Sequence, residues 1–116
     1  MMKDRTKQFA IRIVTVSRSL PRSREADVVA KQLLRSGTAV AANYRAVCRA
    51  RSKAEFISKM GIVVEEADET VFWLELLGDT GLAPADRLTL LLKEANELLA
   101  MCAAPLRTAK YNNSVA

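Results

Sequence analysis

Apolar residues recur along this chain at intervals of three and four, the period of a helix that buries one face. Over residues 22–51 the pattern is unbroken, through Ala26, Val29, Ala30, Leu33, Leu34, Gly37, Val40, Ala41, Tyr44 and Val47. Residues 4–20 open on Asp4, a good N-cap type, and repeat Phe9, Ile13, Val16 and Leu20 at helical spacing. Ser52 followed by Glu55 makes a capping box, in which hydroxyl and carboxylate satisfy reciprocal orphan N–H groups, so a third helix is expected over 53–77. Gly78-Asp79-Thr80-Gly81 should break it. A fourth helix, 84–103, starts at Pro84 and buries Leu88, Leu91, Leu92, Ala95, Leu98, Leu99 and Cys102 before Pro105 stops it. Residues 105–116, with Tyr111-Asn112-Asn113-Ser114, are expected to form a flexible tail. Four helices with short connections predict one domain over 1–116, all-α, an up-down-up-down antiparallel four-helix bundle.

The third helix does not fit a simple amphipathic pattern. At about 100° per residue, Phe56, Met60, Val64, Ala67, Val71 and Leu74 form a core stripe, yet Ile62, Phe72, Trp73 and Leu76 fall on the opposite side beside Glu65, Glu66 and Glu69. Outward aromatic rings gain roughly 1.5 to 3 kcal/mol each when a contact buries them. A self-association surface of Ile62, Glu66, Glu69, Phe72, Trp73 and Leu76 is therefore expected. The alternative is that the rings lie under the tail or a flanking helix of the same chain.

Charge adds a second asymmetry. The total is 18 Lys+Arg against 13 Asp+Glu, net +5, but residues 1–59 hold 14 basic and 4 acidic side chains and residues 60–116 hold 4 and 9. On the second helix Arg24, Lys31, Arg35, Arg45 and Arg49 project within about an 80° arc, and Arg51 and Lys53 continue the row into the next turn. Such a ridge can track phosphates without reading bases. Its plainer uses are a solvated face or pairing with Glu65, Glu66, Asp68 and Glu69 of a neighbouring helix or subunit.

Catalytic designs find little support. With no histidine and only two cysteines, the Glu-x-x-His pairs of bundle metal sites, a nucleophile relay and a four-ligand zinc site are all out of reach. Cys48 and Cys102 read as small core residues beside apolar stripes. No catalytic residue, metal or cofactor is expected, and the protein is read as non-enzymatic. The N-terminus lacks a signal-peptide run and no apolar stretch approaches the ~20 residues that span a bilayer, so a cytoplasmic location without membrane contact is expected.

Several stretches carry a family likeness: Leu20-Pro21, Lys31-Gln32-Leu33-Leu34-Arg35-Ser36-Gly37-Thr38, Ala42-Asn43-Tyr44-Arg45-Ala46, and Arg49 through Ile57. It continues through Gly61 to Glu69 and Trp73 to Leu77. The chain resembles the 23S rRNA intervening-sequence proteins, bacterial four-helix bundles encoded within large-subunit ribosomal RNA genes. That resemblance implies a homopentamer with no known enzymatic activity. A related member, the accessory variability protein of diversity-generating retroelements, binds nucleic acid and a reverse transcriptase through a basic surface, and a reverse transcriptase is a partner here only if this chain is of that branch. The resemblance carries Arg35, Arg45, Arg49 and Arg51 as candidate contacts to RNA or DNA, with Arg24, Lys31 and Lys53 joining them from the ridge. An oligomeric scaffold that binds another protein, with its charges used in subunit assembly, is the rival reading.

Overall fold

The computed structural model describes residues 1–115 and consists of four helices: α1 (Met2–Ser19), α2 (Arg24–Val47), α3 (Lys53–Thr80) and α4 (Ala85–Val115). Each packs antiparallel on its sequence neighbour, with α1 and α4 closing the bundle through the thinnest seam. The result is a rod of 51 × 24 × 21 Å. Among the described residues no helix is long and apolar enough to cross a membrane.

Local chemistry sets the helix ends. The Ser23 hydroxyl accepts from the Ala26 N–H at 3.1 Å, so α2 starts at Arg24. It stops at Val47, four residues short of the expected Arg51, because Arg49 and Ala50 donate three residues back to Ala46 and Val47 and tighten the chain into a turn. Ser52 caps α3 as the sequence predicts, accepting from the Glu55 N–H at 3.0 Å. Gly78 is carried inside α3, and the helix runs on to Thr80 because the left-handed residue that ends it is Gly81, at φ 74°.

The C-terminal expectation is overturned. Pro105 does not stop the fourth helix, and residues 105–115 continue α4 in place of a flexible tail; Ala116 lies outside the described residues. Proline removes one backbone donor and costs a helix interior about 3 kcal/mol. Here Pro105 itself faces solvent, while Leu106 one residue later is buried against Cys102, Val40 and Val47. That tertiary contact holds the helix across the missing bond.

Two apolar clusters fill the rod. The larger joins Phe9, Ile13 and Leu20 of the first helix and its end to Leu33, Leu74, Leu91 and Leu98. The second, at the end where α1 begins, holds Val40, Val47, Met60, Val63, Cys102 and Leu106, with Tyr44 and Phe56 packed on it. The buried stripe of α3 sits slightly rotated from the expected one: Val63, Thr70 and Leu77 are inside, and Phe56 and Val64 are only partly so. Cys102 is a core residue as expected, whereas Cys48, just past the end of α2, is exposed. Of the buried hydroxyls, Ser17 Oγ has no hydrogen-bond partner among the described residues, whereas the others do. The Thr6 hydroxyl donates to the Lys3 carbonyl at 3.0 Å, and those of Ser36 and Thr70 hydrogen-bond across the α2–α3 seam at 2.9 Å.

Candidate nucleic-acid interface

The bundle divides the predicted ridge. Arg24 and Arg45 stand about 32 Å apart along α2, so Arg24 lies at one end of the rod and Arg45, Arg49, Arg51 and Lys53 at the other. Lys31 lies between them, and all six are exposed. Arg35 has a different role. Its guanidinium donates to Glu66 at 3.2 Å and also pairs with Glu69, both on α3, and its Nε donates to Gln32 at 3.1 Å. This is the pairing with a neighbouring helix that the charge pattern had allowed. With Arg35 about half exposed it contributes at most about 1 kcal/mol.

The same carboxylates anchor the aromatic strip. Trp73 Nε1 donates to Glu69 Oε2 at 3.1 Å, and its ring meets Phe72 edge-on with centroids 4.9 Å apart. Trp73 and Leu76 lean on the larger core cluster and are half-buried, while Phe72 and Ile62 are 52% and 38% exposed. Thus Glu66 and Glu69, placed by the sequence at a subunit contact, are engaged within the chain, and of the apolar strip Phe72 and Ile62 stay exposed.

At the basic end the structure adds residues that the charge ridge did not include. Lys3 and Lys7 of α1 flank a groove of about 650 Å³ whose α2 side carries Ala41, Ala42 and Arg45. The signal for them is the register of α1 against α2, fixed where Ile13 meets Gly37, which a helical wheel of one segment does not contain. Tyr44, next to Arg45 on α2, packs on the second core cluster, and burial pushes its hydroxyl pKa up. Tyr111, on the last turns of α4, is exposed. Among the described residues no three His, Cys, Asp or Glu side chains gather as a metal site would need.

Arg5 is the other cation that the fold employs internally. It reaches across to α4, donating to both Glu94 oxygens at 2.8 Å and to Glu97 at 2.7 Å. The Arg5 hydrogen bond is the main reason the Glu94 carboxyl lies below its ordinary value, and it also holds the guanidinium more firmly protonated. A depressed carboxylate pKa stabilises the fold fully above the unfolded-state value, and that stability is lost as pH falls through the lower folded value. The melting temperature of the wild type is therefore expected to drop below about pH 4.5, and Glu94→Gln should flatten that drop. An identical pH profile in the variant would show that the α1–α4 seam does not depend on this pair.

The fold and its surfaces define an all-helical antiparallel bundle, basic at one end and carrying a partly exposed aromatic strip on its third helix. The chain belongs to the 23S rRNA-intervening sequence protein family, whose family model matches residues 2–104. It is similar to a crystal structure from Bacteroides thetaiotaomicron described as a protein of unknown function from the S23 ribosomal protein family. The two share 35% identity over 91% of this chain and 98% of that one, with a TM-score of 0.85. No curated protein matches the chain.

Proposed function

We propose that this protein is a non-enzymatic, homopentameric nucleic-acid-binding protein that contacts phosphate backbone through its basic end. The observation that carries this reading is the gathering of Arg45, Arg49, Arg51 and Lys53 at one end of the rod, exposed and without ion-pair partners among the described residues. Where the fold uses a cation internally, as with Arg5 and Arg35, it supplies carboxylates at hydrogen-bond distance. The four at the basic end have been given none. Contacts of this kind release counterions and discriminate little between sequences.

The test is fluorescence anisotropy of labelled RNA and DNA at low and physiological salt, on protein whose mass is checked by light scattering. Binding should weaken log-linearly with salt. Arg45→Glu with Arg49→Glu should leave the oligomer intact and lower affinity by about tenfold or more, with a shallower salt slope. A second reading, an oligomeric scaffold for another protein, draws support from the Arg35 pairing with Glu66 and Glu69, where basic and acidic halves already serve assembly of the fold. It predicts that the same double reversal breaks the oligomer.

A further inference from the structure

We propose that the groove between the first half of α1 and the second half of α2 seats a single strand of nucleic acid by its phosphates, with Lys3, Lys7 and Arg45 as the contacting cations. This rests on the nucleic-acid reading above and assigns it a place, a strand state and two residues outside the ridge on α2. The groove exists for a local reason. Gly37 lets α1 approach α2 closely at Ile13, and Ala41 and Ala42 on the next turn of α2 are too small to fill the space beside α1. A trough of about 650 Å³ is left open.

Charge chooses the occupant. Three cations line the trough against one carboxylate, Asp4. Lys3 and Lys7 are four residues apart and so share one face of α1, about 6 Å from each other, a spacing that suits neighbouring phosphates of one strand. Arg5, between them in sequence, turns to α4 and is held by Glu94 and Glu97. The helix thus sorts its cations: one is engaged in the fold, and two face the trough without an ion pair among the described residues. At its α2 edge the trough leads from Arg45 to Arg49, whose Nε donates to the Arg45 carbonyl at 3.5 Å, and on to Arg51, so the cationic path continues beyond the groove.

A recess between two helices admits one strand more readily than a duplex, whose phosphates ride on a broad convex cylinder and would meet only the rim. Positively charged grooves that track a backbone are the usual means of holding single strands. The α2 wall presents alanine methyls and Thr38, whose hydroxyl already donates to the Leu34 carbonyl at 2.6 Å, so it offers bases few hydrogen bonds and sequence should matter little.

The experiment compares a mixed-sequence single strand of about 12 nucleotides with a duplex of the same length, by anisotropy over a range of salt, using full-length protein of checked mass and helicity. Lys3→Gln with Lys7→Gln should lower single-strand affinity by about tenfold at low salt and reduce the salt slope by about 1.4. Ala42→Glu removes no cation but occupies the floor, and should weaken binding comparably. Arg24→Gln with Lys31→Gln, on the remainder of the ridge, should change affinity far less. Wild-type binding that survives both groove variants overturns this placement while leaving the proposed function standing, as does a wild-type preference for the duplex. Failure of the wild type to bind either nucleic acid overturns both. Equal binding of an oligoglutamate peptide would reassign the groove to an acidic protein segment. If Ala42→Glu loses helicity, the lysine pair, both exposed on α1, decides alone.

Discussion

Gly37→Val is expected to destabilise the bundle by about 3 kcal/mol or more, among the largest effects open to a single substitution at its helix seams. A Cβ at this position would lie 2.8 Å from both Cγ1 and Cγ2 of Ile13 and 3.2 Å from its Cβ. Ile13 cannot yield, because it is fully buried and its branched side chain has one strongly preferred rotamer in a helix. Relief must come from moving α1 off α2. Alanine recovers up to about 1 kcal/mol of helix propensity relative to glycine, against an overpacking cost of about 1 to 3 kcal/mol, so Gly37→Ala should still be destabilising on balance. Gly61 supplies the control. It also sits inside a helix, a Cβ added there would meet nothing within 4 Å, and Gly61→Ala should be stabilising. Urea unfolding of the single variants, of Ile13→Ala and of the Gly37→Ala, Ile13→Ala double variant checks the argument. The double should be more stable than the sum of the singles requires, since each change relieves the other; strict additivity would mean that the seam relaxes elsewhere.

That seam also shows why some of the molecule could be read in advance and some could not. Helix existence was legible because proline and glycine are sparse and the apolar period is local. Ser52 announced the start of α3 for the same reason, through a bond to a residue three positions away. At Pro105 long-range packing overrides local chemistry, which says stop while Leu106 in the core says continue. The phase of α3 was shifted by hydroxyls. Thr70 looks polar in a pattern of apolar and polar letters, yet with Ser36 and the Glu66 carbonyl as partners, the latter at 2.7 Å, it is buried without penalty.

The site divides along the same line. The cationic arc of α2 is a property of one helix and was visible, but the different role of Arg35 depends on Glu66 and Glu69, 31 and 34 positions further along the chain. Lys3 and Lys7 acquire meaning only when α1 is laid beside α2. A charge split between the two halves of the sequence thus becomes two separate things: ion pairs that join one helix to another, and a basic end without ion pairs among the described residues.

Phe72→Ala with Trp73→Ala is expected to reduce the proposed homopentamer to single chains of 12.8 kDa, because Phe72 and its edge-on neighbour Trp73 form an aromatic pair that the outer face of α3 leaves partly exposed. The two rings are not equivalent. Phe72 projects outward and is 52% exposed, so in the isolated chain its loss costs little, whereas in an assembly each copy would forfeit roughly 1.5 to 3 kcal/mol of burial. Trp73 is anchored inward, with Nε1 on Glu69 and one flank on the core cluster, so Trp73→Ala weakens the chain as well as the contact. Phe72→Ala alone therefore separates assembly from folding: light scattering should show a smaller species whose thermal unfolding, followed at low concentration, is nearly unchanged. Unaltered mass together with a lower melting temperature would place both rings in the core of a single chain, and the outer face of α3 would no longer support a homopentamer.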